Sequence, residues 1–414
     1  MLLRFGVTNH LSICEKQELS FAASSLKDQQ KGLLASQAVP KSTFVPAVVI
    51  YGANASGKSN FVSAFYTMQN MILWSQTKGE PGKGVPRKAF RLDSKYKKAP
   101  SQFDVDFIIN NVRYHYGFEA SDEAFTAEWL YAFPTAYRRK LFERNGDEME
   151  FGRWLRGPNS NIARLTRPNS LFLSAAAQND HEQLSSVYKF FQSIEFTENI
   201  FVPGVVASSK YMRKGHDDRV INFLESINTG VVGYRRKEIQ IPEEAQTFRR
   251  ELRTIFEKLP GSNITTELED EDKHEVIQLA HQGQGGKNVY FDLDSESAGT
   301  RRLLIVLGQV YQALDEGLPL IIDEFDASLH THACEAILKL FCTPETNKNG
   351  AQLIATTHDT NLMKSALLRR DQLWFAEKNA EGATEIYPLT DIKTRKGDNV
   401  ELGYLQGRYG ALPG

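Results

Sequence analysis

The sequence has few cysteines, no long apolar run and almost no net charge. Its three cysteines, Cys14, Cys334 and Cys342, lie too far apart for the usual spacings of metal sites or disulfide frameworks, which favours a reducing compartment. No apolar run approaches the ~18 residues of a membrane span, and the start MLLRFGVTNH has too short an apolar stretch for a secretory signal. A formal net charge of −2 excludes a global basic field, so any nucleic-acid surface has to be local. These absences predict a cytoplasmic protein that does not enter a membrane.

The clearest motif is GANASGKS, residues 52–59, which fits the pattern G-x-x-x-x-G-K-[ST] of a phosphate-binding loop. A buried-strand pattern, FVPAVVIY, precedes it, and a helix follows with Phe61, Phe65, Met68 and Ile72 on one face. Glycines let backbone N–H groups curl round phosphate oxygens, and the helix N-terminus adds partial positive charge. A chance glycine-rich turn is the alternative, but the strand–loop–helix context favours the phosphate loop. The residues predicted to bind a nucleotide here are Gly52, Ala53, Asn54, Ala55, Ser56, Gly57, Lys58, Ser59 and Asn60.

A second buried strand, in PLIIDEFDASLH at residues 319–330, ends in two adjacent carboxylates. Buried-strand ends seldom carry such a pair unless a cation or a reactive water meets it. Lys58 can reach the β- and γ-phosphates, while Ser59 and Asp323 can hold Mg²⁺ from opposite sides. Glu324 is then free to polarise an attacking water. Capping of the following helix by these acids is the alternative.

Two further segments suggest parts of the same site. Ser297 and Gly299 lie at the start of a helix with an apolar face, where free N–H groups and a hydroxyl can bind an anion. An ordinary serine cap is an equally good interpretation of that segment. The strand LIATTHDTNL, residues 353–362, places His358 where it can edge the crevice at the carboxyl ends of the strands.

In this order along the chain, these segments resemble the motifs of the ABC-type ATPases. GANASGKS is similar to their Walker A motif, SAGT to the core of their signature sequence and LIIDE to their Walker B motif with its catalytic glutamate. DASLH resembles their D-loop, and the region of His358 their switch histidine. The resemblance implies Mg²⁺-dependent ATP hydrolysis with Lys58, Glu324 and His358 as catalytic residues. It also implies a head-to-tail homodimer or higher oligomer, in which Ser297 and Gly299 of one chain meet the γ-phosphate bound by another.

Other stretches resemble one branch of these ATPases. RFGVTNHLSI is similar to the opening of RecF, SMC and OLD (overcoming-lysogenization-defect) ATPases, with Asn9 and Ser12 in an N-x-x-S turn. ESAGTRRL, HDTNLM and GYLQGRYGALP resemble the RloA-type and abortive-infection ATPases of bacterial anti-phage defence, relatives of the ATPase subunit of PARIS systems. That resemblance implies a phage-derived trigger and a separate effector, such as a Toprim-like nuclease of RloB type. Because residues 359–414 show no strand with a D-x-D pair, nuclease chemistry would come from another chain.

The sequence therefore predicts an α/β P-loop NTPase fold, an ABC-ATPase head with a mixed sheet, an antiparallel β subdomain and a mostly helical insertion. Residues 1–150 are expected to form a first lobe with the Walker A motif and 151–275 the helical insertion. Residues 276–414 would form a second lobe with the remaining motifs and the C-terminal tail. After the helical segment, HEVIQLAHQGQGGKNVYFDL is expected to form a hairpin with its glycine-rich loop at residues 283–286.

Three functions are compatible with these motifs. The first is a nucleotide-dependent dimeric switch or scaffold that senses infection and controls an effector. The second is a RecF/SMC-like clamp in DNA repair, whose duplex would contact the basic cluster at residues 83–98. A solvated loop is the simpler interpretation of that cluster. The third is a chain that binds ATP without hydrolysing it. For the tail GYLQGRYG, a docking surface and a packing strap remain alternatives.

Overall fold

The computed structural model describes residues 1–26, 28, 31–135, 137–197, 217–240, 273–364, 367–395 and 397–411. Parts of the predicted insertion, at 198–216 and 241–272, lie outside the described residues, as do the last three residues of the predicted tail. The chain forms two compact units. Unit 1 comprises Met1–Glu198 and Gln312–Gly414, and unit 2 comprises Asn199–Tyr311.

The first sheet of unit 1 is a six-stranded layer with the order β11-β15-β16-β5-β17-β18. Its strands run parallel except β18, which is antiparallel to β17. The strands are β5 (Ala47–Tyr51), β11 (Glu195–Thr197), β15 (Pro319–Ile322), β16 (Gln352–Thr356), β17 (Leu373–Lys378) and β18 (Thr384–Pro388). The two predicted buried strands are thus confirmed as β5 and β15, and β16 lies between them.

The second sheet of unit 1 is antiparallel, with the order β10-β9-β8-β7-β6-β1-β2. Asn110 and Asn111 make the turn between β6 and β7, both with positive φ, a conformation that asparagine tolerates better than most residues. The strands are β1 (Leu2–Thr8), β2 (Gln17–Ser20), β6 (Ser101–Ile109), β7 (Val112–Ala120), β8 (Phe125–Phe133), β9 (Arg139–Asn145) and β10 (Glu148–Phe151). A two-stranded ribbon is formed by β3 (Leu34–Ala35) and β4 (Thr43–Phe44).

Helices and side chains join these sheets. The predicted stripe of Phe61, Phe65, Met68 and Ile72 on α1 is buried, and Phe65 lies 4.3 Å from Phe5 of β1 between ring centroids. The helices of unit 1 are α1 (Lys58–Trp74), α2 (Ser94–Lys98), α3 (Asn159–Leu165), α4 (Phe172–Gln178), α5 (Glu182–Gln192), α8 (Thr331–Cys342) and α9 (Val400–Leu405). Buried side chains from both sheets and from α1, α3, α4 and α5 belong to one apolar core. The predicted α/β fold with a mixed sheet and an antiparallel β subdomain is confirmed.

Unit 2 contains α6 (Asp217–Ser226) and a three-stranded antiparallel sheet, with strands β12 (Val231–Gln240), β13 (Lys273–Gln282) and β14 (Asn288–Asp292). The helix α7 (Ala298–Glu316) begins in this unit. The β13–β14 hairpin agrees with the sequence pattern, and residues 231–240 form a strand inside the segment predicted to be mostly helical. Pairing with β13 along its whole length overrides the weak local preference of this charged segment. Arg235 illustrates the pairing, since its Nε donates to Gln278 Oε1 at 2.6 Å.

The basic cluster at residues 83–98 is not uniformly solvated. Arg87 is 9% exposed and donates to Asp122 Oδ1 at 2.7 Å and to the backbone oxygens of Ala99 and Lys97. By contrast, Lys95, Lys97 and Lys98 have exposed side chains on α2. Among the described residues, no helix is long and apolar enough to cross a membrane.

Asp106 is the main ionic link between strands of the antiparallel sheet. Its carboxylate on β6 accepts hydrogen bonds from Arg4 of β1 at 3.0 Å and from Arg113 of β7 at 2.8 Å, and it contacts His115 Nδ1 at 3.2 Å. Burial alone would raise the pKa of Asp106, but the hydrogen bonds from His115 and Arg113 outweigh it and hold that pKa well below its usual value.

We expect Asp106→Asn to lower the free energy of unfolding by roughly 2–3 kcal/mol at pH 7, as for a lost charged hydrogen-bond partner. Because the folded-state pKa is depressed, this contribution is complete above the unfolded pKa of about 3.9 and is lost as the pH falls below it. Urea denaturation of both proteins between pH 3 and pH 7 measures the difference, with the exposed Asp147→Asn as control. A difference that does not shrink at low pH would contradict this account.

Candidate functional site

The predicted phosphate loop lies between β5 and α1, and its glycines are required by close neighbours. Gly57 has φ +106°, and a Cβ at this position would lie 1.9 Å from Thr384 Oγ1. A Cβ on Gly52 would lie 2.3 Å from the carbonyl oxygen of Ala376 on β17. Ala55 also has positive φ. The loop therefore has the tight, side-chain-free backbone that phosphate binding needs.

Lys58 begins α1 and turns back over its own loop. Its Nζ donates to the backbone oxygens of Gly52 at 2.8 Å and Ala53 at 3.0 Å, and the residue is 5% exposed. Burial lowers the pKa of Lys58, while the nearby carboxylates of Asp323, Asp326 and Glu324 act in the opposite direction. The ammonium group is thus held between the loop and the carboxylates that follow β15.

One hydroxyl group of β16 bonds to the Asp323 carboxylate and to the backbone of Glu324 at the end of β15. Thr356 Oγ1 donates to Asp323 Oδ1 at 2.5 Å and accepts from the Glu324 N–H at 2.9 Å. Glu324 has φ +50°, a conformation that a non-glycine residue seldom adopts, and its side chain is exposed. Helix capping does not explain the pair, because the N-cap of α8 is His330.

His358 lies two residues beyond the end of β16, at the same edge of the sheet. Its backbone N–H points at the Asp326 carboxylate, at 3.3 and 3.2 Å from the two oxygens. The Phe325 N–H donates to the backbone oxygen of Thr356 at 2.8 Å, which connects the chain after β15 to the end of β16. The structure therefore brings Lys58, Asp323, Glu324 and His358 to one edge. Thr356 and Asp326, which lie inside the same motifs, add a hydroxyl group and a third carboxylate to this edge.

A chain of hydroxyl and amide groups joins the phosphate loop to the antiparallel sheet. Thr384 Oγ1 donates to the Ser56 oxygen at 2.9 Å and lies 2.8 Å from Ser12 Oγ. Asn60 Nδ2 donates to the same Ser12 oxygen at 2.6 Å. Asn60, which was predicted to bind nucleotide, has Ser12 as its hydrogen-bond partner. Thr384 lies on β18 in a segment without any recognisable motif, so its role is visible only in the fold.

The N-x-x-S turn, formed by Asn9 and Ser12, has a structural role of its own. Asn9 is fully buried, and its Nδ2 donates to the backbone oxygens of Tyr96 and Ala99 at 2.8 Å each. Its Oδ1 accepts from the Phe90 N–H at 2.9 Å. Asn9 thereby holds the segment around α2 against the turn that reaches the phosphate loop.

Ser297 and Gly299 belong to unit 2. Ser297 Oγ accepts from the Thr300 N–H at 3.0 Å, which is the ordinary serine cap that the sequence left open. Their contribution to a nucleotide site on another chain stays a prediction.

A cavity of about 710 Å³ opens beside the phosphate loop. Its lining includes Gly52–Ser56, His358, Thr360, the end of β17, Tyr404, Leu405 and Ala411. The tight loop, the first turn of α1 and the buried Lys58 fit a nucleotide triphosphate. Ser59, exposed on the first turn of α1, and Asp323 are the side chains that would hold Mg²⁺ together with phosphate oxygens. In the described part of the chain, no cluster of three or more His, Cys, Asp or Glu side chains offers a separate metal site.

A family model described as "AAA domain, putative AbiEii toxin, Type IV TA system" matches residues 47–364. The chain belongs to this AAA-domain family. The match begins at the strand before the phosphate loop of the AAA domain and includes the carboxylates after β15 and His358. Nucleotide hydrolysis is general in AAA and ABC-type ATPases, as is the use of ATP and Mg²⁺.

Comparison with curated proteins found no match to the AAA-domain chain. Among solved structures, one match is cbiO1 from Clostridium perfringens, part of the ABC transporter complex cbiONQ. The identity is 10%, the match covers 99% of this chain and 96% of that one, and the TM-score is 0.32. This likeness is too low to say anything further about the AAA-domain chain.

We expect Gly57→Ala to weaken nucleotide binding at least ~10-fold, because the new methyl group displaces Thr384 and the loop attached to it. Gly82→Ala is the matched control, since Gly82 also has positive φ but has open space around it. Titration with a fluorescent ATP analogue gives both dissociation constants. Equal affinity of the two variants would show that the shape of the loop does not matter for binding.

Proposed function

We propose that this protein is a Mg²⁺-dependent ATPase and that it acts as a nucleotide-dependent homodimeric switch in anti-phage defence. The observation that supports hydrolysis is the gathering of Lys58, Asp323, Glu324 and His358 at one edge of a parallel sheet, beside a phosphate loop. The observation that supports a role in defence is membership of a family described by a putative AbiEii toxin and a Type IV toxin–antitoxin system.

Each side chain has a distinct part in the proposed reaction. The loop N–H groups and the start of α1 bind the phosphates, and Lys58 moves from its carbonyl partners to the β- and γ-phosphate oxygens. Mg²⁺, held by Ser59 and Asp323, would supply neutralisation of the phosphate charge. Glu324 accepts the proton of the attacking water, and its left-handed backbone directs the carboxylate outward. His358, whose side chain is exposed, would contact the γ-phosphate.

The same site has a role for a second copy of the chain. In the proposed dimer, Ser297 and Gly299 of one copy bind the γ-phosphate held by the loop of the other. Closure of the dimer then depends on bound nucleotide, which is the property required of a switch. The effector in this proposal is a separate protein of Toprim-like nuclease type, and a phage product is the trigger.

Glu324→Gln should reduce phosphate release at least ~100-fold and leave ATP binding intact, because it removes the base without removing a phosphate ligand. Lys58→Ala should instead weaken ATP binding itself. Steady-state hydrolysis and analogue titration separate the two effects, and Glu381→Gln, in the exposed β17–β18 turn, is a control for the loss of one charge. If wild-type protein releases no phosphate even with its partner and trigger present, the enzymatic proposal fails.

Expression together with the neighbouring gene product tests the defence proposal. We expect the two proteins to co-purify. ATP should stabilise the dimer of the Glu324→Gln variant. Cells that carry Lys58→Ala should lose phage resistance. Native mass measurement with and without ATP gives the assembly, and plaque counts give the resistance. Full resistance in the Lys58→Ala strain would contradict a nucleotide-dependent switch.

A DNA clamp of RecF/SMC type is the second candidate, supported by the exposed Lys95, Lys97 and Lys98 on α2. A salt-sensitive gel shift with duplex DNA by this chain alone, lost when these lysines are changed to glutamate, would favour the clamp. Absence of a shift at low salt, together with co-purification of a partner, would favour the switch.

A further inference from the structure

The C-terminal segment Asn399–Ala411, called the strap here, contacts the candidate site at two separate points. It begins with α9, whose N-terminus is capped by Asn399 Oδ1 accepting from the Leu402 N–H at 2.9 Å. It then turns twice, at Gly407 and Gly410, and returns to the phosphate loop. The sequence left open whether this tail is a docking surface or a packing element.

The end of the strap bonds directly to the phosphate loop. The Ala53 N–H donates to the Ala411 oxygen at 3.0 Å, and Tyr404 Oη donates to the same oxygen at 3.0 Å. The Ala411 N–H donates to Glu377 Oε2 at 2.8 Å, at the end of β17. The position of Ala53 at the start of the loop is therefore set by a residue more than three hundred positions away.

Aromatic contacts keep the end of the strap in place. The Tyr404 ring is stacked on Phe375 of β17, with centroids 5.5 Å apart and an interplanar angle of 14°. Tyr387 Oη donates to the backbone oxygen of Tyr409 at 2.8 Å. A Cβ on Gly403 would lie 2.4 Å from Tyr409 Oη, so α9 is closely packed against the Tyr409 ring. The Ala411 carbonyl group that accepts from the Ala53 N–H is thus held in place by the packing of Tyr404 on β17.

The beginning of the strap bonds to the segment that carries His358. Glu401, 8% exposed, accepts from Thr360 Oγ1 at 3.2 Å and forms an ion pair with Lys364 Nζ at 2.9 Å. Thr360–Lys364 is a short 3-10 helix that starts two residues after His358. Thr360, His358 and the strap residues line the same cavity as the phosphate loop.

We propose that the strap is a positioning element of the nucleotide site, in which Tyr404 acts on the phosphate loop through Ala411 and Glu401 acts on His358 through Thr360 and Lys364. Neither side chain needs to touch the substrate. A purely apolar packing element would not require a buried carboxylate at one end and a shared carbonyl group at the other, because both need polar partners to compensate for desolvation. This inference rests on the proposed ATPase function for its kinetic consequences.

Two substitutions separate the two ends of the strap. Tyr404→Phe removes one donor to the Ala411 oxygen, and we expect KM for ATP to rise about three- to tenfold with little change in kcat. Glu401→Gln removes the charge that holds Lys364, and we expect kcat to fall about five- to twentyfold with KM nearly unchanged. Gln406→Ala, on an exposed position of the strap, is the matched control.

Amide hydrogen exchange of the same variants gives a readout that needs no nucleotide. Tyr404→Phe should speed exchange at residues 52–57 and not at 358–364, whereas Glu401→Gln should do the reverse. Melting temperatures identify any general loss of stability. Equal effects of both variants on kcat, KM and both exchange regions would overturn the proposal and leave the strap as packing only. Wild-type protein that neither binds nor hydrolyses ATP would refute the proposed function, while the exchange pattern would still decide the role of the strap.

Discussion

The parallel pairing of β15, β16 and β5 is the constraint on which the candidate site depends. Their register places Ile322 opposite Ala355 and Thr356 opposite Ile50. Since parallel strands all end at the same edge, the residues that follow each strand have to meet there. The phosphate loop after β5, the carboxylates after β15 and the histidine after β16 are separated by up to about three hundred residues in sequence, yet one register brings them together.

Charge at that edge is controlled by short polar contacts. Burying a charged lysine is unfavourable unless hydrogen-bond acceptors or opposite charges compensate for its lost hydration. Lys58 has two loop carbonyl groups as acceptors and three carboxylates nearby. Adjacent carboxylates repel each other, and the Thr356 hydroxyl donates to one while accepting from the backbone of the next residue. These contacts fix the positions of the polar groups at the edge relative to one another.

The phosphate loop is also held by contacts from other segments of the chain. Thr384 of β18 donates to the loop at Ser56, Ser12 between β1 and β2 contacts Thr384, and Ala411 reaches the loop from the strap. A loop that lacks side chains at Gly52 and Gly57 has little packing of its own, so external hydrogen bonds have to define its shape. These contacts link segments near both ends of the described chain to the place where nucleotide is proposed to bind.

Local patterns in the sequence were enough to predict the phosphate loop, the strands beside it and Lys58, Asp323, Glu324 and His358 as candidate site residues. The patterns are glycine spacing, continuous apolar runs and polar residues at strand ends. The contacts of Thr356, Asp326 and Thr384, the burial of Arg87 and the strand at residues 231–240 were visible only in the folded chain. Those features depend on pairing and hydrogen bonding between distant segments, and a single threonine or a charged stretch carries no local signal of its future partner.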